Sequence, residues 1–103
     1  MDWLHNLCND GVFVMRAAIL EQLILIFQQL EKSKDQGWSF STIEDVSSEV
    51  DEQIRLIQSG QDYEDGTLLK LIMPTGDLQE IAMANDWSDR FLQSANKIEK
   101  LLS

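Results

Sequence analysis

The chain has 103 residues, 44% of them hydrophobic, a length that supports one core and one domain, 1–103, but not two. Eighteen acidic residues against eight basic ones give a net charge of -10, which repels phosphate backbones and anionic membrane surfaces. Nucleic-acid and membrane binding are therefore not expected, and a basic protein partner is. The single cysteine, Cys8, excludes an intrachain disulfide, a four-cysteine zinc site and an iron-sulfur cluster, and suits a reducing cytosol.

The start, MDWLHNLCND, carries acids where a secretory leader needs bases, so it does not read as one. Residues 2–8 read as an extra helical turn whose Trp3, Leu4 and Leu7 fold back on the core. His5 and Cys8 have the spacing of half a zinc site, but no other histidine or cysteine exists to complete it. Catalysis through Cys8 or a serine would have His5 as its only imidazole base. No metal, no cofactor and no enzymatic activity are expected.

Asp10 and Gly11 punctuate the start, after which residues 12–37 read as one long helix, with Lys32 and Lys34 near its negative end and Gly37 as its cap. Its apolar residues wrap most of the circumference, so it is either central to the fold or half of a contact between two copies, with Ile19, Leu23, Ile26 and Phe27 at that contact. The run Ala17 to Phe27 is interrupted by Glu21 and Gln22 and falls short of the ~20 residues of a membrane span. A second helix starts at Ser41, which with Glu44 forms a capping box and with Phe40 a hydrophobic staple. Ile43, Val46, Val50, Ile54 and Ile57 follow at steps of three and four, and Gly60 ends it.

A short third helix follows, with Asp65 or Thr67 as N-cap and its end near Ile72 or Met73, because Pro74 disfavours helical geometry in the residue before it. Gly76 then suits a left-handed turn, and Asp77 with Glu80 has capping spacing for a further helical turn or two. Asp86 caps a last helix whose Trp87, Phe91, Ala95, Ile98 and Leu102 form one stripe. The fold class is all-α, a single domain of about four helices with a proline-glycine turn before the last ones.

Two chemical readings fail on spacing. Setting Gly66 at the sixth position of a calcium loop puts Ile72 where the required glutamate belongs. The second helix opens SFSTIEDV, without the Asp-Ser-Leu of an acyl carrier. What remains is charge: Glu44, Asp45, Glu49, Asp51, Glu52, Asp62, Glu64 and Asp65 stand against Arg55 alone. With Leu56 and Tyr63 exposed among them, this stretch is expected to dock a partner, since interfaces favour aromatic anchors ringed by steering charge.

Residues 71–92, LIMPTGDLQEIAMANDWSDRFL, carry a proline-glycine turn, a Leu-Gln-Glu-Ile run and an Asn-x-Trp before the last helix. This segment resembles a C-terminal signature of small bacterial proteins, and the chain looks like the small acidic immunity proteins that neutralise toxins. The resemblance implies a cytoplasmic inhibitor that covers a toxin, such as a nuclease, through its acidic surface, with no catalytic residue. The alternative is an oligomerising or adaptor helical module without a toxin partner.

Overall fold

The computed structural model describes residues 10–74 and 76–102, and these form five helices and no strand. They are α1 (Asp10–Lys32), α2 (Ile43–Gln58), α3 (Asp65–Leu71), α4 (Asp77–Ala84) and α5 (Ser88–Leu102). The turn expected over residues 2–8, with His5 and Cys8, lies outside the described residues. Among the described residues no helix is long and apolar enough to cross a membrane.

The all-round apolar character of α1 follows from its central place, packed against α2, α4 and α5. Ile19, Leu23, Ile26 and Leu30 are fully buried, while Leu20, Ile24 and Phe27 pack half-buried against the same core. Three of the four residues expected at a contact between copies, Ile19, Leu23 and Ile26, thus lie inside the chain's own core. The α2 stripe of Val46, Val50, Ile54 and Ile57 is buried opposite them, and Trp87, Phe91, Ala95 and Ile98 close the other side. Trp87 and Phe91 meet edge to face at 6.2 Å, and full burial of each large apolar side chain contributes roughly 1.5–3 kcal/mol.

Several helix ends differ from the expected ones, each because a contact distant in sequence wins. Helix α1 stops at Lys32 rather than at Gly37: the Asn85 carboxamide oxygen accepts from the N–H groups of Lys34 (2.9 Å) and Asp35 (3.1 Å) and draws the chain into a loop. Helix α2 is capped by Thr42, whose Oγ1 accepts from the Asp45 N–H at 3.1 Å, one residue later than the Ser41 box. Ser41 is held instead in a tight turn with Ser39, and Phe40 is exposed and staples nothing. The C-terminus of α2 behaves as expected. Gly60 takes φ 77°, its N–H bonds Ile57 O, and the Gln61 N–H bonds Leu56 O, the paired pattern that closes a helix on a left-handed residue.

Helix α3 begins at Asp65 with Glu64 before it, so neither Asp65 nor Thr67 is the cap, and it closes at Ile72 as the following proline requires. Gly76 has φ -83° and is not left-handed; it is itself the residue before α4, with Asp77 in the first turn. Among the described residues of this region the left-handed one is Asp86, at φ 64°, which lets the Trp87 N–H reach Ala82 O at 2.9 Å. Asp86 therefore closes α4 instead of capping α5.

Among the described residues two sealed side-chain oxygens, Gln53 Oε1 and Gln79 Oε1, have no hydrogen-bond partner. Gln53 is 7% exposed on the inner face of α2, and its Oε1 is sealed from solvent with no hydrogen bond. Exchange for methionine, similar in volume and apolar, is expected to raise the unfolding free energy by about 1 kcal/mol in urea denaturation.

Candidate docking surface

Residues 33–42 join α1 to α2 and lie along α4, held there at three points. The Asn85 side chain bonds Lys34 and Asp35 from one side, its Nδ2 donating to Asp35 O at 2.6 Å and to Ile81 O at 2.8 Å. Gly37, at φ 62°, presses onto α4 so closely that a Cβ there would stand 2.9 Å from Ala84 Cβ and 3.0 Å from Glu80 O. At the far end the Asp77 carboxylate accepts from the Phe40 N–H at 3.0 Å. Partial burial works against the Asp77 charge, but hydrogen bonds from Phe40 and from Ser41 and Ser39 outweigh it and lower its pKa. The loop is thus braced, and the side chains it presents are aromatic: Trp38 is 88% exposed and Phe40 99%.

Two large aromatic side chains held in water on a braced loop gain nothing from burial in the fold. Interfaces are enriched in such aromatic side chains, which makes this loop the candidate docking surface. Carboxylates lie in and beside the loop: Asp35 accepts from the Gly37 N–H at 2.9 Å and Asp77 from the Phe40 N–H, Glu80 follows on α4, and Glu44 and Asp45 stand in the first turn of α2, with Lys34 as the loop's own cation. Glu44 and Asp45 also oppose the positive end of the α2 dipole, which gives them a local role beside any partner.

The expected site residues fall into three groups. Glu44, Asp45 and Glu52 are exposed along the outer face of α2, and Asp51 there pairs with Arg55 at 2.9 Å. Glu49 sits toward the groove between α2, α3 and α4, near Lys70 and Asp77. Asp62, Glu64 and Asp65 are exposed beyond the end of α2, whose last residue lies roughly 21 Å along the axis from Glu44 at 1.5 Å per residue. The acids form a strip rather than a single patch, and its N-terminal end adjoins the aromatic loop.

Leu56 and Tyr63, expected to stand exposed among the carboxylates, are only partly exposed. Tyr63 packs against the core, and the Arg16 guanidinium lies 5.0 Å from its ring centre. The same guanidinium donates to the carbonyls of Gln61 (2.7 Å), Ile57 (3.2 Å) and Leu56 (3.4 Å), satisfying the open end of α2. Burial raises the Tyr63 pKa above 10.0, and the nearby Arg16 charge holds it back. Exchange of Arg16 for glutamine is therefore expected to move the Tyr63 titration to still higher pH. Tyr63 is the sole tyrosine, so absorbance near 295 nm reads it directly.

The aromatic pair was legible only as Trp-Ser-Phe between two periodic segments, with the two rings at a spacing that fits neither helix stripe. Among the described residues no group of three His, Cys, Asp or Glu side chains is placed to hold a metal ion. No protein-family model, curated protein or solved structure matches the chain.

Proposed function

We propose that the chain is a small acidic binding protein that works in the cytoplasm by stoichiometric cover of a basic protein partner. In the immunity-type reading this partner is a bacterial toxin domain such as a nuclease. The observation that carries the proposal is the braced loop, with Trp38 and Phe40 exposed in a setting of carboxylates that continues along α2. The aromatic pair supplies the anchor, and Glu44, Asp45, Glu52 and the more distant Asp62, Glu64 and Asp65 supply steering and register. A standard interface of about 1,600 Å² in total would take in the loop and much of the α2 face. We read Pro74 and Gly76 as the reversal that turns α4 back beneath the loop, with the Gly76 N–H on Met73 O at 3.0 Å and Asp77 then in reach of Phe40.

The test is titration with a basic toxin domain as candidate partner, at several ionic strengths. A 1:1 complex whose affinity falls with salt is expected. Glu49→Lys combined with Glu52→Lys should weaken it about tenfold without unfolding the chain, as exposed interface charges do. Affinity that neither salt nor charge reversal changes would sink the acidic-surface reading.

A second reading, self-association through α1, is favoured by one feature: Ala17, Leu20, Ile24 and Leu25 form a shallow, largely apolar outer surface on that helix. Sedimentation equilibrium separates the two, because a salt-tolerant dimer weakened by Leu25→Lys would support self-association.

A further inference from the structure

The crevice between α1 and α5 contains two polar side chains that the fold leaves without partners. Gln22 is 7% exposed and Ser94 6%, and neither makes a hydrogen bond to a described residue. Their polar atoms are not sealed in as Gln53 Oε1 is, so what little they expose opens into the crevice they line. A nearly buried amide and hydroxyl facing one small space are costly unless something in that space completes their hydrogen bonds.

The surroundings specify what that something is. The cavity measures about 240 Å³, larger than the ~150 Å³ that accommodates benzene. Its walls include Leu25, Ile26, Trp87 and Phe91. The Trp87 ring is fixed, because its Nε1 already donates to Ser33 Oγ at 2.9 Å and its edge meets Phe91. At the mouth stand the exposed side chains of Arg90 and Lys97, on the same face of α5 as Ser94 at steps of four and three. In a chain of net charge -10, neither cation pairs with a described carboxylate.

We infer that this crevice binds a carboxylate carried on a small apolar body of about one ring's size. The body lies against Trp87, Phe91 and Ile26. The carboxylate accepts from the Gln22 amide, the Ser94 hydroxyl and the Arg90 or Lys97 side chain, which are the donors the fold leaves unused. A free organic acid and the C-terminus of a polypeptide share this chemistry. The site is separate from the docking loop, and the inference does not rest on the proposed function.

The test is a titration of the isotopically labelled chain, followed by the Trp87 indole N–H and the Gln22 side-chain amide in NMR spectra. Three probes are compared: phenylacetate, its neutral analogue phenylacetamide, and N-acetylphenylalanine as a mimic of a chain terminus. Saturable shifts with phenylacetate are expected, with the amide at least about tenfold weaker, and Arg90→Gln with Lys97→Gln should abolish that preference. Both cations are exposed, so the double variant should keep its helical circular dichroism. Tighter binding of N-acetylphenylalanine than of phenylacetate would assign the source to a polypeptide terminus, and the reverse order to a free acid. Equal affinity for acid and amide, a preference that survives in the double variant, or no saturation at tens of millimolar would overturn the inference.

Discussion

Trp38→Ala combined with Phe40→Ala is expected to lower affinity for the basic partner at least a hundredfold, while the unfolding free energy stays within about 0.5 kcal/mol of the parent. The two halves of this result have one cause. With exposures of 88% and 99%, neither ring gives the fold any core contact to lose. In a complex the same area becomes available for burial, and aromatic anchors at interface centres typically lose 2 kcal/mol or more on truncation. The bracing matters as well. The loop is tied to α4 through Asn85 and Asp77, so little ordering entropy remains to oppose binding. Loss of stability in the double variant, measured by urea unfolding, would show that the rings serve the fold instead.

Gly37→Ala is expected to destabilise the chain by about 2–3 kcal/mol, the sum of a left-handed backbone penalty and a steric one. At φ 62° any Cβ costs conformational energy, and here it would also stand 2.9 Å from Ala84 Cβ and 3.0 Å from the Glu80 carbonyl oxygen. The carbonyl belongs to the α4 backbone, so relief requires the loop to lift from the helix. Gly60→Ala supplies the control, because that residue has φ 77° with nothing within 4 Å of the added carbon. It should cost only about 1 kcal/mol, and the difference between the two variants measures the loop's close seating on α4. Equal losses would mean that the seating contributes nothing.

Much of the helical framework is legible because it depends on residues close in sequence. The run Val46, Val50, Ile54, Ile57 and the run Trp87, Phe91, Ala95, Ile98 each mark a buried face through helix geometry alone, and both are buried. The Gly60 ending is equally local. The ends that came out differently are decided across the fold: Asn85 stops α1 from a distance of some fifty residues, and Asp77 takes the Phe40 N–H. Where two hydroxyl residues adjoin, as at Ser41 and Thr42, spacing cannot choose between them, and the Ser39 turn does.

The candidate surface was legible as charge but not as shape. The eight carboxylates are visible in the sequence, whereas the partial burial of Tyr63 among them follows from its packing on the core and on Arg16. That one side chain, forty-odd residues upstream, draws the end of α2 and the Tyr63 ring inward. No periodic pattern announces such a contact.

The aromatic anchor and the acidic surface can be tested together without knowledge of the natural partner. A randomised peptide display library is panned against the parent chain, against Trp38→Ala with Phe40→Ala, and against Glu49→Lys with Glu52→Lys. The parent is expected to enrich peptides with an apolar residue flanked by lysine and arginine, the first variant to lose them, and the second to retain them with fewer basic residues. Basic peptides indifferent to Trp38 and Phe40 would remove the aromatic anchor and leave the acidic surface standing, whereas enrichment without basic residues would rule out capture of a basic partner.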